Sequence, residues 1–193
     1  MLFIFDYFGV VAQDHFWYAA QAGLAAHGHS EQMRSVSLKM NVGEVSWDDY
    51  CRAVAVDLAV SFDEVQKRYT EHKITPHIVE LLHDIKAAGH SIVLLSNASS
   101  EYLLPIMQRL GLDKLFEQFF VSSDMHFVKP DPRAYEYVLK EMNTSPSEAI
   151  LIDDNVQNVD GARSSGLAGI LFESTDTCRK ELVSSGLLAY SGL

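Results

Sequence analysis

Apolar residues along this chain come in short runs, and each run is followed by polar residues capable of chemistry. LFIF (2–5) precedes Asp6, IVLL (92–95) precedes Ser96-Asn97, and AILI (149–152) precedes Asp153-Asp154. Lys129-Pro130 stands in the segment after FFV (119–121). Runs of this length, bounded by turn residues, predict strands buried on both faces, as in a parallel sheet. Between them apolar positions recur at helical spacing. Ile78, Leu81, Leu82 and Ile85 form one stripe, with Thr75-Pro76 as its N-cap and first turn and Gly89 as its stop. Tyr135, Val138, Leu139 and Met142 form another, after the Asp131-Pro132 cap. Further helices are predicted near 99–110 and 156–165, a last strand at AGILF (168–172), and a short frayed helix after Glu173. Five strands alternating with helices predict an α/β fold: a Rossmann-like parallel sheet with helices on both faces.

Residues from about 13 to 73 break the alternation. They contain no convincing strand, but Ser46 with Asp49 and Ser61 with Glu64 are capping-box patterns that start helices. This stretch reads as a small helical cap inserted after the first strand. The expected division is a catalytic core of residues 1–12 and 74–193 and a cap of 13–73. A cap placed there would stand over the strand ends and close a site against water.

Bulk properties narrow the partners. The 193 residues carry a net charge of −11, which argues against nucleic acid and anionic membranes as partners. No apolar run approaches the ~20 residues of a membrane span. The amino-terminal stretch reads as a core strand rather than a signal peptide, having no basic segment before it. Cys51 and Cys178 have no metal-ligand spacing and are expected to be reduced thiols, so a cytoplasmic location is expected. Nothing in the sequence speaks to oligomeric state.

In an open parallel sheet the carboxyl ends of the strands share one edge, where ligands bind. The four motifs would bring a nucleophilic carboxylate, a hydroxyl-amide pair, an ammonium and a metal-binding carboxylate to that edge. Each alone has an ordinary structural explanation: a strand-end aspartate, a turn, a loop. Together and in order they outline a phosphoryl-transfer site. A carboxylate attacking a phosphate meets like-charge repulsion, so a divalent cation has to neutralise it. Asp6 and Asp154 supply hard oxygens suited to Mg²⁺, while Ser96, Asn97 and Lys129 would hold the phosphate oxygens. Asp153 would support the metal shell, and Gly9 lets the backbone turn tightly after Asp6.

These motifs resemble the haloacid dehalogenase-like hydrolase superfamily along the whole chain: FDYFGVV, LLSNAS, VKPDP and LIDDNVQNVDGA. The resemblance implies Asp6 as nucleophile through an aspartyl-phosphate, Mg²⁺ as cofactor, and the backbone carbonyl of Phe8 as a further metal ligand. Counting back from Ala162, as in the group with a small helical (C1-type) cap, assigns the main metal aspartate to Asp154. Asn158 stands where a further acidic residue is common. The implied substrate is a small phosphorylated metabolite.

One position departs from the pattern. Most phosphatases of the superfamily carry an acid–base aspartate two residues after the nucleophile, and here Phe8 stands there. General acid–base catalysis contributes ~10²–10⁴-fold, which must come from elsewhere or be absent. Asp14 or His15 could provide the proton, the leaving group could need little help, or turnover could be feeble. The chain is also similar to the α-D-glucose-1-phosphate phosphatase group, which lacks the same aspartate, so a sugar 1-phosphate is one expectation. A 2-haloacid dehalogenase is an alternative, since that chemistry also pairs an aspartate with a following aromatic. A non-catalytic binding protein of the same fold is another. Whether water or a second sugar takes the phosphoryl group stays open. His27 and His29 read as solvated, Trp17, Tyr18 and Trp47 as cap core, and Arg133 and Arg163 as surface or ion-pair residues.

Overall fold

The computed structural model describes residues 1–13 and 30–189. Its centre is a five-stranded parallel sheet built from β1 (Leu2–Phe5), β4 (Ser91–Ser96), β5 (Gln118–Val121), β6 (Ala149–Asp153) and β7 (Ala168–Leu171). The strand order is β5-β4-β1-β6-β7. Two further strands, β2 (Ala12–Gln13) and β3 (Lys73–Ile74), pair antiparallel and bracket the helical stretch between them.

The strand runs form because their residues are apolar on both sides of the pleat. Phe3, Phe5, Ile92, Leu94, Ile150 and Ile152 enter one core, against the helices Ile78–Ala87, Ser100–Arg109 and Thr175–Ser184. Leu2, Ile4, Val93, Leu95, Ala149 and Leu151 enter the other, against Pro132–Glu141 and Val156–Ser164. Phe5 stands level with Leu94 and Ile152, so the residues that follow on all three strands leave the sheet at the same edge. Crossovers run one way from β1 through β4 to β5 and the other way from β6 to β7. The switch therefore lies between β1 and β6, the place where such sheets bind ligands.

Between β2 and β3 lie helices Ser30–Asn41, Trp47–Leu58 and Phe62–Thr70. Ser46 and Ser61 cap the second and third by accepting from the amides of Asp49 and Glu64, as the sequence pattern requires. Tyr50, Cys51, Val54, Val65 and Tyr69 bury the inner face of this layer in the first of the two cores.

One helix start differs from expectation. The helix begins at Ile78 rather than Thr75-Pro76, because His77 adopts a left-handed conformation (φ 59°) that interrupts the turn. Thr75 Oγ1 is buried with no hydrogen-bond partner among the described residues, so it does not cap this helix. The other predicted helices and strands appear within a residue or two of their expected bounds.

Ile4 is fully buried in the central strand. Ile4→Ala should cost ~2–5 kcal/mol, the usual range for truncating a core isoleucine, and lower the urea midpoint without changing the slope.

Candidate active site

Asp6 follows directly on β1. Its backbone amide still donates to Ile152 O at 2.9 Å, holding it in register with β6. The chain then turns, with the amides of Val11 and Ala12 both donating to Tyr7 O at 2.9 Å. Gly9 makes that turn possible. Its φ is +79°, and a Cβ there would lie 2.1 Å from Asp154 Oδ2. The backbone of the first motif therefore presses against the carboxylate of the fourth, and only glycine leaves room.

Lys129 enters from the loop after β5 and is buried. Its Nζ stands 2.9 Å from Asp6 Oδ1 and 2.6 Å from Asp153 Oδ2. Asn97 pins that loop: its amide Nδ2 donates to Lys129 O at 2.9 Å, and its Oδ1 accepts from Lys129 N at 2.8 Å. Asn97 lines the cavity as well, so it acts first as a clasp for the lysine.

The two adjacent aspartates have different surroundings. Asp153 is fully buried, and its carboxylate accepts from Lys129, from the Asn155 amide at 2.9 Å and from Asn158 Nδ2 at 3.0 and 3.1 Å. Asp154 is half-exposed and faces the cavity. Asn158, at the position where a carboxylate was the alternative, donates to Asp153 rather than repelling it. Ser96 ends β4 fully buried, and its Oγ has no hydrogen-bond partner among the described residues.

One ammonium thus pairs with two carboxylates, and a third stands beside those two. Asp6, Asp153 and Asp154 each offer an oxygen within 4.8 Å of the others. Burial pushes the Asp6 carboxyl up to about 7; Asp153 and Asp154 push the same way, and Lys129 opposes them. For Lys129 the balance is reversed: burial works against its charge, and the two carboxylates outweigh burial and raise its pKa. A buried cluster with surplus negative charge and hard oxygen donors is suited to a divalent cation such as Mg²⁺, with the ligand oxygens already gathered.

A cavity of about 210 Å³ opens on this edge. Asp6, Asn97, Lys129 and Asp154 form one side, while Phe8, Met40, Asn41, Trp47, Tyr69 and Tyr102 line the rest with others. Trp47 thus faces the cavity, where the sequence suggested only a core residue. It starts its helix directly after the Ser46 cap, and its amide donates to Glu101 Oε2 at 2.8 Å. Tyr69 and Tyr102 carried no sequence signal, because each looks like an ordinary buried position of its own helix. His72 joins them, its ring within hydrogen-bond distance of Tyr7 OH, Tyr69 O and Tyr102 OH. Asp14, His15, Trp17, Tyr18, His27 and His29 lie outside the described residues. Arg133 pairs with Asp131 and covers Phe127, and Arg163 pairs with Asp160, both at the surface.

Known proteins resemble this chain in sequence and in fold. The family model for haloacid dehalogenase-like hydrolases matches residues 1–166. A sesquiterpene phosphatase of Aspergillus oryzae is 28% identical over 141 residues, 70% of this chain and 72% of that protein. An (S)-2-haloacid dehalogenase of Burkholderia cepacia is 28% identical over 104 residues, 54% of this chain but only 45% of the relative. The chain thus spans about half the length of several curated relatives. Among solved structures, a HAD family enzyme of Bacteroides thetaiotaomicron in complex with magnesium and inorganic phosphate superposes with a TM-score of 0.69 at 17% identity, covering 90% of this chain and 94% of that one. The L-2-haloacid dehalogenase of Xanthobacter autotrophicus superposes at 0.65 with 20% identity, covering 97% and 84%. With the family model matching most of its length, this chain belongs to the haloacid dehalogenase-like hydrolases.

Proposed function

We propose that the protein is a Mg²⁺-dependent phosphomonoesterase of a small phosphorylated metabolite. The observation that carries this reading is the clustering of Asp6, Asp153 and Asp154 at the strand ends, with the buried Lys129 paired to the first two. Dehalogenation needs no metal, and a cluster with surplus carboxylate would repel a haloacid. Phe8 and the dehalogenase relatives favour that second reading, so metal dependence decides between them.

Asp6 is the nucleophile, and its Oδ attacks phosphorus to form an aspartyl-phosphate. Lys129 neutralises one phosphoryl oxygen and keeps Asp6 aimed. Ser96 Oγ, buried and unpaired among the described residues, would gain a partner in another oxygen; an unsatisfied buried hydroxyl otherwise costs ~1–3 kcal/mol. Asp6, Asp154 and the Phe8 carbonyl would hold Mg²⁺, while Asp153 orients the lysine and supports the metal side. When bound, the ion supplies the charge that lets a carboxylate approach an anionic phosphate. The helical layer of residues 30–70, read as part of a cap spanning 13–73, closes the cavity and excludes water.

Phe8 gives no proton, so the preferred leaving group is one that departs as an anion. A glycosyl phosphate and an aryl phosphate both meet that condition better than a plain alkyl phosphate, and equal turnover of an alkyl phosphate would remove the condition.

Phosphate release should require both Mg²⁺ and Asp6. EDTA or Asp6→Asn should bring it to the uncatalysed background, whereas metal-independent halide release from a 2-haloacid would replace this reading with dehalogenation. Gly9→Ala should keep the far-UV circular dichroism and lose roughly 10²-fold in kcat, the scale of an ångström-sized misplacement. Asp6 has a separate signature in the metal-free protein. Burial raises its folded pKa to about 7, above the ordinary 3.8 of an aspartate, so the folded state holds an extra proton between those values. Stability is therefore lost as pH rises through that window. In EDTA, Asp6→Asn should raise Tm by roughly 2–4 °C or more at pH 8 and by less at pH 5.

A further inference from the structure

Beside the charged phosphoryl side, the cavity has an aromatic wall. Phe8, Met40, Trp47, Tyr69 and Tyr102 line it. The rings brace one another: Trp47 stacks on Tyr102 with centroids 4.2 Å apart and planes 21° apart, and it meets Tyr69 edge-on at 5.0 Å. Phe8 lies nearly parallel to Tyr102, their planes 4° apart.

The two tyrosines lining the cavity do not make it a polyol site. Tyr69 OH is bonded to Tyr50 OH at 2.9 Å, and Tyr102 OH donates to Tyr69 O at 2.8 Å. Their hydroxyls are held by the protein, and what they offer a ligand is ring surface. Of the residues that the helical layer adds to the wall, among those described, Asn41 alone brings a side-chain amide. A sugar packed against these ring faces would find on that wall, among the described residues, only Asn41 as a side-chain amide partner, and each buried hydroxyl left unpaired costs ~1–3 kcal/mol.

Size points the same way. An apolar cavity of ~150 Å³ holds one benzene ring. The 210 Å³ here, part of it taken by the phosphoryl side, suits a single planar ring better than a long chain.

We propose that the substrate is an aryl phosphate, a phosphate monoester of a phenol whose ring packs on Trp47 and Tyr102. The inference rests on the phosphomonoesterase reading and names the leaving group of that same site. Two independent features agree on it. The wall favours an aromatic ring over a polyol, and a phenol, ionising near pH 10 as tyrosine does, leaves without the proton that Phe8 does not supply. In the first step the Asp6 oxygen bonds to phosphorus, the aryl O–P bond breaks, and its electron pair leaves as a phenolate that takes a proton from solvent. In the second, water oxygen bonds to phosphorus, the P–O bond to Asp6 breaks, and its electron pair restores the carboxylate. The water proton passes to the phosphate or to solvent.

The test compares phenyl phosphate, phosphotyrosine, glucose 1-phosphate, glycerol phosphate and acetyl phosphate on the Mg²⁺-loaded full chain, each against Asp6→Asn. Acetyl phosphate is the control, having a good leaving group and no ring. The expected result is a kcat/KM for the aryl esters at least ten-fold above those of glucose 1-phosphate and glycerol phosphate. Trp47→Ala should raise KM for the aryl esters about five-fold, on the order of what one aromatic pair contributes, and raise KM for acetyl phosphate by clearly less. Trp47→Phe should restore most of the loss, which separates ring recognition from a folding defect. Glucose 1-phosphate turned over as well as the aryl esters, or equal KM changes for acetyl and aryl substrates, would overturn the inference and leave the phosphatase intact. Asp6-dependent release from none of the five would overturn the phosphatase reading itself, and this inference with it.

Discussion

Everything at the active edge is organised around one buried ammonium. Lys129 sits between Asp6 and Asp153 with almost no exposure to water, and a third carboxylate, Asp154, stands beside them. Burying such a group is costly unless it is paired and fully hydrogen-bonded. The surroundings meet that requirement through placement. Asn97 holds the lysine loop by two backbone bonds, while Asn155 and Asn158 fill the remaining acceptor capacity of Asp153. Asp6 is left with a high pKa and Asp154 with access to the cavity. Asp153 is thus saturated and turned inward, while Asp6 and Asp154 line the cavity, where the proposed cation and phosphate would meet them.

The parallel sheet makes this concentration of charge possible. The first, second and fourth motifs stand at the ends of β1, β4 and β6, whose mutual register is set by apolar side chains on both faces, while Lys129 comes in from the loop beyond β5, which pairs with β4. The strands therefore deliver their polar ends to one level without any of those ends contributing to the core. The close approach of Gly9 to Asp154 belongs to the same arrangement, since β1 and β6 are neighbours across the switch point.

Phe8 links the charged edge to the aromatic wall. It occupies the position where an acid–base group would act, and its ring meets Tyr7 edge-on at 5.0 Å and runs parallel to Tyr102. A side chain that removes a proton donor thereby adds to the apolar surface. The hydrogen bonds among Tyr50, Tyr69, Tyr102 and His72 fix the orientation of the rings and keep their polar ends in the protein. On the proposed reading, the residue that supplies no proton is also part of the surface on which an aromatic leaving group would pack.

The strands, most helices and the four motif positions were legible in the sequence, because each depends on local information. Apolar runs specify buried strands, serine caps specify helix starts, and motif spacing follows the chain. The helix expected at Thr75-Pro76 was misplaced because the left-handed backbone at His77 has no glycine or asparagine to announce it. The different surroundings of Asp153 and Asp154 could not be read either, since adjacent identical residues differ only in what other segments bring to them. Tyr69 and Tyr102 were invisible for the same reason: they are 33 residues apart and meet only when a helix of the inserted layer packs on a helix of the sheet. The sequence alone determined the class of fold and the chemical groups at its edge. The tertiary structure decided which carboxylate is saturated, which one faces the cavity, and what kind of surface the substrate meets, because those depend on distances between segments that the chain does not place side by side.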